Sequence, residues 1–500
     1  MNYCELLFDT KDMDLELEVL IDAETGKRLT YRELMEEVKK TAALLHAKGY
    51  SSGDVIATHL YNSVEAAVIL LGIQYIGGVI CLIDPLYKAN EVLYYIEDSG
   101  AKCLFTHLKS SEIELPDSLK CEIVHIKDYE NEIQSFACEE HDFYNYREDE
   151  LAMLLYTSGS TSKPKGVMLS AGCFFTFLEK SNCSMYRYTK EDRILCFVPF
   201  SHGFGSVSIL IPSLDGKSAI VFLRSFQPIK ISNTIIKENI THIFGVPTHY
   251  QQLLRYEAIH DSLRKLKAAF VAAAPLNYET ALQWYKTIGI YLDEGYGMSE
   301  TTTLITTRMN RLPEPAGDVG YPPKGILEVE VVDEDGNICE DGVIGEIRIR
   351  GKGLMLGYLN RPEETRERLR DGCVYSGDYG YKKSDGSLVI CGRKKDVINV
   401  AGLKISPLEV EVAINSHPDV VDSAVVGVED SVYGEVVKAF VVLKDGAKVT
   451  DRDLIKYVSE KIANFKVPKY FTFLDDFPRN NLGKIDKNAL KKMDKALTTK

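Results

Sequence analysis

A segment rich in hydroxyls, glycines and lysines near residue 160 could bind phosphate. Residues Tyr156 to Gly166 read Tyr-Thr-Ser-Gly-Ser-Thr-Ser-Lys-Pro-Lys-Gly, so small side chains lie beside Lys163 and Lys165. Backbone N–H groups, hydroxyls and ammonium groups all donate hydrogen bonds to phosphate oxygens. The spacing of a P-loop NTPase, Gly-x4-Gly-Lys-Ser/Thr, is not met, which disfavours that class. A plain Ser/Gly surface loop is the alternative interpretation of the same composition.

Two further segments place reactive side chains at the ends of predicted strands. Phe-Ser-His-Gly-Phe-Gly at 200–205 follows a predicted strand, and His202 either faces a substrate or has a structural role. Gly-Met-Ser-Glu-Thr at 297–301 follows the predicted strand Tyr291 to Tyr296. A carboxylate and hydroxyls there suit magnesium and phosphate, because hard cations prefer oxygen ligands. An ordinary turn into a capped helix would contain the same residues.

The charged side chains of the last third of the chain also fall at predicted turns. Tyr-Ser-Gly-Asp at 375–378 places Asp378 just after a turn, and Lys484 lies on a glycine loop close to the C-terminus. The polar run Gly-Arg-Lys-Lys-Asp at 392–396 separates two apolar strands. We therefore expect a domain boundary there, with an N-terminal domain over 1–392, a link at 393–396 and a C-terminal domain over 397–500.

The elements that must position these residues follow an α/β pattern. Short apolar runs alternate with helical segments between residues 30 and 106, which indicates parallel α/β architecture. Thr30 and Glu33 form a capping box that begins the first of these helices. Asp-Gly turns after Pro313 predict a small antiparallel β subdomain, and the pattern from Val397 predicts an α+β module. The predicted fold class is therefore a large N-terminal domain of α/β layers with that subdomain, followed by a small mobile α+β C-terminal domain.

Length, charge and cysteine usage exclude several classes of protein. A chain of 500 residues is too long for one core, and a net charge of -14 argues against a nucleic-acid partner. The eleven cysteines form no Cys-x-x-Cys pair, which supports neither a disulfide framework nor a zinc site and favours a cytoplasmic location. Met1 to Thr10 does not resemble a secretory signal. The apolar stretch Val64 to Ile83 contains Glu65 and a Gly-Gly pair, so we expect a buried helix and strand there, with a membrane span as the alternative.

These motifs together resemble the adenylate-forming enzymes, which comprise acyl- and aryl-CoA synthetases, luciferases and nonribosomal peptide adenylation domains. Five segments occur in the order found in that family, and the resemblance covers the chain from about Thr30 to Leu490. The five segments are 156–166, 199–205, 296–300, 375–378 with 392–411, and 478–484. Such enzymes join a carboxylate to the α-phosphate of ATP with release of pyrophosphate, and a thiol then displaces AMP. Stand-alone acyl-CoA synthetases are the most similar members.

The resemblance assigns roles to individual residues. It implies catalytic roles for Lys484, His202, Glu300 and Lys165, magnesium near Thr157 and Glu300, and a hinge at Lys395. The residues expected to bind ATP or the thiol cofactor are Thr157, Ser158, Gly159, Ser160, Thr161, Lys163, Lys165, Ala273, Tyr296, Gly297, Ser299, Asp378, Arg393 and Gly402. The residues expected to line the acid pocket are His202, Phe204, Ser208, Phe244, Tyr250, Ala272, Gly297 and Leu304.

The sequence departs from the family pattern at three uncharged positions. Ser162 and Ala272 stand where glycine is common, and Leu482 stands where serine or threonine is frequent. Amino-acid-activating members usually carry aspartate where this chain has Ser201, so we expect a carboxylic acid without an α-amino group, fatty or aryl. The thiol is expected to be coenzyme A, with the phosphopantetheine of an acyl carrier protein as the alternative acceptor. A non-catalytic adenylate-binding homologue is the remaining alternative.

Overall fold

The computed structural model describes residues 1–11, 13–116, 119–137, 142–157, 163–401, 403–430, 432–479 and 485–498. Within these ranges the chain forms four β-sheets, two mostly parallel sheets, one antiparallel sheet and one mixed C-terminal sheet. Helices cover the two parallel sheets, and the small sheets follow them in the sequence. The predicted fold class is therefore confirmed.

The first mostly parallel sheet ends at the second and third motif segments. Its inner strands pair in parallel, and an antiparallel strand closes each edge. In spatial order its strands are Thr306–Arg308, Leu292–Tyr296, Ala268–Ala272, His242–Gly245, Arg193–Cys196, Ala219–Phe222, Glu18–Asp22 and Arg28–Thr30. The carboxyl ends of parallel strands share one edge of a sheet, so the turns after Cys196, Ala272 and Tyr296 lie on the same side.

The second mostly parallel sheet carries the phosphate-loop segment. Four parallel pairings join its inner strands, and the strand Leu151–Thr157 turns back antiparallel into Lys165–Ser170. In spatial order its strands are Gly357–Tyr358, Lys165–Ser170, Leu151–Thr157, Val79–Leu82, Val55–His59, Cys103–Thr106 and Glu122–His125. The pairing of Tyr358 with Val167 brings a distant part of the chain beside the loop.

The antiparallel sheet corrects one local prediction. Its strands are Asp318–Gly320, Leu388–Arg393, Cys373–Lys382, Gly345–Gly351 and Leu327–Val332, with Leu369–Arg370 paired to Cys373–Lys382. The sequence predicts a turn just before Asp378, but residues 375–378 lie inside the strand Cys373–Lys382. The glycine that suggested a turn, Gly377, has φ +69° and makes the strand locally irregular.

The C-terminal residues form a sheet of their own. Its strands are Leu403–Ile405, Ile398–Val400, Gly434–Leu443, Val420–Asp430 and Tyr470–Phe473. The helices Pro407–Asn415 and Asp451–Ser459 pack on its apolar face, where Val410, Ile414 and Leu454 are buried. Ser406 accepts a hydrogen bond from the Glu409 N–H at the start of the first helix, as its sequence predicts.

The helices begin and end near the predicted positions. Thr30 and Glu33 form the predicted capping box at the start of Tyr31–Ala47. The other α-helices are Glu5–Phe8, Val64–Tyr75, Ala89–Ser99, Ile126–Glu132, Ala171–Ser184, Gly203–Ser206, Leu210–Asp215, Pro228–Glu238, Pro247–Arg255, His260–Leu263, Tyr278–Ile288, Pro362–Arg368, Pro407–Asn415, Asp451–Ser459 and Lys487–Thr498. Val64–Tyr75 is buried on all sides, as expected for the apolar stretch. Across the described ranges, the structure contains no helix with the length and apolarity that a bilayer crossing needs.

The acidic segment before the phosphate loop is more ordered than its composition predicts. The composition of Asp128 to Glu150 predicts a surface connection, but the structure has the helix Ile126–Glu132 and a 3-10 turn at Ile133–Ser135. Tyr129 is buried, with its ring 5.7 Å from that of Phe105 and its hydroxyl 2.8 Å from the Thr41 hydroxyl. Tyr129 and the partly buried Ile126 therefore anchor this helix to the core, while Lys127, Asp128 and Glu130 are exposed.

Candidate active site

The stem of the phosphate loop joins two adjacent antiparallel strands. Thr157 ends one strand and pairs with Lys165, which begins the next. Tyr94 donates a hydrogen bond to the Pro164 carbonyl at 2.7 Å, and the Lys163 ammonium lies 5.4 Å from the centre of the Tyr94 ring. Tyr94 belongs to none of the motifs, so this role could not be predicted from them. Ser158, Gly159, Ser160, Thr161 and Ser162 lie outside the described residues.

Tyr358 connects the loop stem to Glu300. The Lys165 ammonium lies 5.5 Å from the centre of the Tyr358 ring and 3.5 Å from the Glu364 carboxylate. The Tyr358 hydroxyl donates a hydrogen bond of 2.6 Å to the Glu300 carboxylate. Two motifs that are far apart in the sequence therefore meet through a tyrosine that belongs to neither motif.

Glu300 is a buried carboxylate held from several directions. It lies in the 3-10 turn Ser299–Thr301 and is 5% exposed. Arg368 donates to the Tyr358 hydroxyl at 3.2 Å, and its guanidinium lies 4.0 Å from the Glu300 carboxylate. The Met355 N–H donates to the Glu300 carbonyl at 2.8 Å. Both the backbone and the side chain of Glu300 are thus fixed in place.

Asp378 is the second carboxylate of the site and is half-buried. It accepts a hydrogen bond of 2.7 Å from the Tyr296 hydroxyl and lies opposite Arg393 on the neighbouring strand. Burial raises the pKa of Asp378, although Tyr296, Arg393 and Arg368 each favour its ionised form. Arg368 also donates to the Tyr375 carbonyl at 2.7 Å. Its charge acts on both Glu300 and Asp378, so a cation that the sequence analysis missed lies between the two predicted carboxylates.

The predicted pocket residues after Tyr296 are tightly constrained. A Cβ on Gly297 would lie 1.2 Å from the Thr303 carbonyl oxygen, so that position requires glycine. Ser208 and Thr303 share a hydrogen bond of 3.1 Å between their hydroxyls, and Leu304 is 5% exposed. Thr303 therefore lies between the segments that carry the Gly297 and His202 motifs.

Ala272 and Ala273 lie at the end of the strand next to Leu292–Tyr296, on the same side of the sheet as the turn after Tyr296. Ala272 pairs with Gly295 at the end of the strand Ala268–Ala272. Ala273 follows with φ +70°, a left-handed conformation that costs an L-residue about 1–2 kcal/mol. Local strain of this kind is often retained where a ligand needs a fixed backbone.

Aromatic side chains fill the space behind these residues. The Phe204 ring lies 5.9 Å from Phe244 and 6.5 Å from Phe270, measured between ring centroids. Phe204 retains 7% exposure, whereas Phe244 and Tyr250 are fully buried. The Tyr250 hydroxyl donates to the Phe270 carbonyl at 2.6 Å, so Tyr250 packs behind Phe270. Phe204 and Leu304 are therefore placed to form the inner wall of the predicted acid pocket. Phe244 and Tyr250 pack behind them.

His202 has a structural role in the described fold. Its Nδ1 accepts a hydrogen bond of 3.1 Å from the Phe204 N–H at the start of the helix Gly203–Ser206. This bond fixes the ring as a cap and positions Phe204. The residue is half-buried, and its contact with a substrate stays a prediction.

The predicted hinge lies where the antiparallel sheet meets the C-terminal sheet. Lys395 is exposed in the 3-10 turn Lys394–Asp396, and Lys394 pairs with Glu346 at 2.8 Å. Across the junction the Ser406 hydroxyl donates to the Cys391 carbonyl. Two residues assigned by the resemblance, Lys484 and Gly402, lie outside the described residues.

The described residues contain no group of three or more His, Cys, Asp or Glu side chains that could hold a metal ion. This arrangement fits magnesium, which keeps several waters and binds through one or two protein ligands together with substrate phosphates. Glu300 and Thr157, the residues expected near magnesium, carry oxygen atoms of that kind.

The structure combines a large α/β body with a separate C-terminal sheet. The family model described as AMP-binding enzyme matches residues 11–359, and the one described as AMP-binding enzyme C-terminal domain matches residues 409–484. The chain belongs to the AMP-binding enzyme family, and it is an AMP-forming acid–thiol ligase.

Similar proteins of known name cover nearly the whole chain. It is 31% identical to a long-chain-fatty-acid–CoA ligase of Bacillus subtilis, over 93% of this chain and 90% of that protein. It is 30% identical to 4-coumarate–CoA ligase 3 of Oryza sativa, over 94% of this chain and 88% of that protein. The crystal structure of ATP-bound MatB from Rhodopseudomonas palustris superposes with a TM-score of 0.91 at 29% identity, covering 99% of this chain and all of that one.

Proposed function

We propose that this chain activates a fatty or aryl carboxylic acid that lacks an α-amino group and transfers it to coenzyme A. The observation that carries the proposal is the network of Lys165, Tyr358, Glu300, Arg368 and Asp378, in which Tyr358 and Glu300 are buried. It brings together two carboxylates and two cations from separate parts of the chain. Coenzyme A ligases among the relatives act on fatty and aryl acids, which supports this class of substrate.

In the first half-reaction a carboxylate oxygen attacks the α-phosphorus of ATP, and the bond to pyrophosphate breaks. Lys165 and the Thr157 hydroxyl would hold the β- and γ-phosphates, and Asp378 would accept hydrogen bonds from the ribose hydroxyls. Lys484 would stabilise the charge that accumulates between the carboxylate and the α-phosphate. Tyr296 fixes Asp378, and Tyr358 with Arg368 fixes Glu300. The chain thus contributes positioning and charge rather than a nucleophile.

Magnesium, when bound by Glu300 and Thr157 with the phosphates, would neutralise the charge of the leaving pyrophosphate. Tyr358 and Arg368 contact Glu300 on one side, so they would orient its carboxylate toward the phosphates. The Tyr358 hydroxyl donates a hydrogen bond to that carboxylate and so limits its rotation.

In the second half-reaction the thiol sulfur attacks the acyl carbon and AMP leaves. We propose that residues 1–392 form one domain, that residues 397–500 form a lid domain, and that residues 393–396 are the hinge between them. Rotation about Lys395 would withdraw Lys484 and bring Gly402 to the thiol path. The exposed position of Lys395 between two strands supports this role, because hinges absorb large changes in φ and ψ at element ends.

A pyrophosphate-exchange screen over fatty, aryl, dicarboxylic and amino acids tests the proposal. We expect exchange with acids that lack an α-amino group, and no exchange with amino acids, because Ser201 offers no carboxylate for an ammonium group. Asp378→Asn serves as the site control and should lose exchange. Exchange only with amino acids, or with no acid in a folded protein, would refute the proposed function.

The acceptor is tested separately with the active acid. The protein is incubated with ATP and either free coenzyme A or a phosphopantetheinylated acyl carrier protein, and thioester is quantified by mass spectrometry. We expect thioester formation with coenzyme A. Acylation of the carrier protein alone would assign the chain to carrier loading instead.

A further inference from the structure

Lys180 is a fully buried lysine that belongs to none of the motifs. It lies on the helix Ala171–Ser184 with 0% exposure, and its ammonium donates a hydrogen bond of 2.8 Å to the Thr301 carbonyl. Within the described ranges, no carboxylate forms an ion pair with it. Burial lowers the pKa of Lys180 to about 7. Burying an amine without a counter-charge is unfavourable, so the fold must offset this cost through the contacts of Lys180.

The helix of Lys180 packs on a segment that also contacts the Glu300 turn. Cys173, Thr176 and Lys180 share one helix face, since they are three and four residues apart. The Cys173 thiol donates to the Leu354 carbonyl at 3.6 Å. A Cβ on Gly353 would lie 2.9 Å from Thr176 and 3.3 Å from the Lys180 nitrogen. The side chain of Lys180 therefore passes against the Gly353 backbone to reach Thr301.

The backbone that Lys180 holds is conformationally strained. Thr302 has φ +51° and Thr303 has φ +65°, so two consecutive non-glycine residues are left-handed. The Thr302 hydroxyl donates to the Gly353 carbonyl at 2.8 Å. Lys180 holds the carbonyl immediately before this pair. Its hydrogen bond opposes relaxation of the turn toward ordinary backbone angles.

This turn sets the position of two parts of the active site. Glu300 directly precedes Thr301, and its side chain contacts Tyr358. The Thr303 carbonyl lies against Gly297 so closely that no Cβ would fit between them. A small rotation of the turn would therefore displace both the carboxylate and the wall of the acid pocket.

We propose that Lys180 is a positioning residue, whose buried amine holds the turn Thr301 to Thr303 and thereby aligns Glu300 and Gly297 for adenylation. The inference rests on the proposed function, because it assigns Lys180 to the same reaction. Lys180 itself touches no substrate. It acts through the backbone, unlike Lys165 and Lys484, which are expected to contact phosphate.

The test combines hydrogen exchange with kinetics on Lys180→Met, which keeps the length of the side chain and removes the amine. We expect amide exchange in peptides covering 299–305 to accelerate at least tenfold. We also expect kcat for pyrophosphate release to fall 10- to 100-fold, with a raised magnesium requirement. Lys180→Gln retains a neutral donor and should recover part of the loss. Ser184→Ala is the matched control, because its hydroxyl bonds the Lys180 carbonyl at 2.7 Å on the same helix.

The outcomes separate this inference from the proposed function. Wild-type kcat and magnesium dependence in folded Lys180→Met would overturn the inference. A uniform rise in exchange over the whole helix, with kinetics per folded molecule unchanged, would also overturn it by showing a purely structural role. If Lys180→Met does not fold, Lys180→Leu removes the amine in a smaller side chain and is judged by the same results. Failure of the proposed function is seen independently, as wild-type protein that releases no pyrophosphate with any acid.

Discussion

The hydroxyl of Tyr358 offers the sharpest test of the site, because it is a single atom between two charged side chains. It donates a hydrogen bond of 2.6 Å to the Glu300 carboxylate and accepts one of 3.2 Å from Arg368. A hydrogen bond to a charged group contributes about 1.5–3 kcal/mol. If that contribution is realised in the transition state, Tyr358→Phe should slow adenylation about 10- to 150-fold. It should also raise the magnesium concentration needed for half-maximal rate, because Glu300 loses its orientation.

The same chemical change elsewhere in the chain provides a matched control. The Tyr50 hydroxyl donates a hydrogen bond of 2.6 Å to the Glu122 carboxylate. The two tyrosines are similarly buried, with Tyr50 8% exposed and Tyr358 6% exposed. Tyr50→Phe should therefore lose a similar amount of stability, about 1–2 kcal/mol, without slowing the reaction. Initial rates of pyrophosphate release across a magnesium titration, with unfolding by urea measured in parallel, compare the two variants. Equal rates and equal magnesium curves for both variants would refute the assignment of Tyr358 and Glu300 to the site.

Four further predictions follow from the described contacts and the proposed mechanism. Lys484→Ala should lower acyl-adenylate formation about 10²- to 10³-fold while sparing thioester formation from supplied acyl-adenylate, and an equal loss of both half-reactions would contradict its role. Lys395→Pro, which fixes φ near -65°, should give a burst of pyrophosphate without steady turnover; normal turnover in stopped-flow assays would exclude the hinge. Phe204→Ala should shift the acid panel toward bulkier acids, and an unchanged ranking of acids would remove Phe204 from the pocket wall. Burial raises the pKa of Asp422 to about 6, above the usual 3.8. The folded state then binds more protons, so wild-type stability should fall by about 1–2 kcal/mol from pH 4 to pH 6 relative to Asp422→Asn; parallel urea-unfolding curves for the two proteins would disprove this.

The sequence by itself determined the local elements, because their causes are local. The capping box of Thr30 and Glu33, the alternation of apolar strands and helices, and the Asp-Gly turns depend on residues within a few positions of each other. The order of the motifs also identified the family, which the family models and the full-length relatives confirm. Local patterns were misleading where one residue decides the outcome, as with buried Tyr129 in an acidic segment and Gly377 within a strand.

Only the tertiary structure decided which side chains meet. The pairing of Tyr358 with Val167 at a sheet edge brings that tyrosine beside Lys165, and Arg368 reaches both Glu300 and Asp378 from the helix that follows. Tyr358 and Arg368 belong to no motif, because their partners lie far away in the sequence. A short stretch of sequence does not determine which distant segments pair. The burial of Lys180 has the same origin, since a lysine on a helix is normally solvated until packing encloses it. The sequence thus identified Lys165, Glu300 and Asp378, and the fold determined which other residues, Arg368 among them, hold these groups in position.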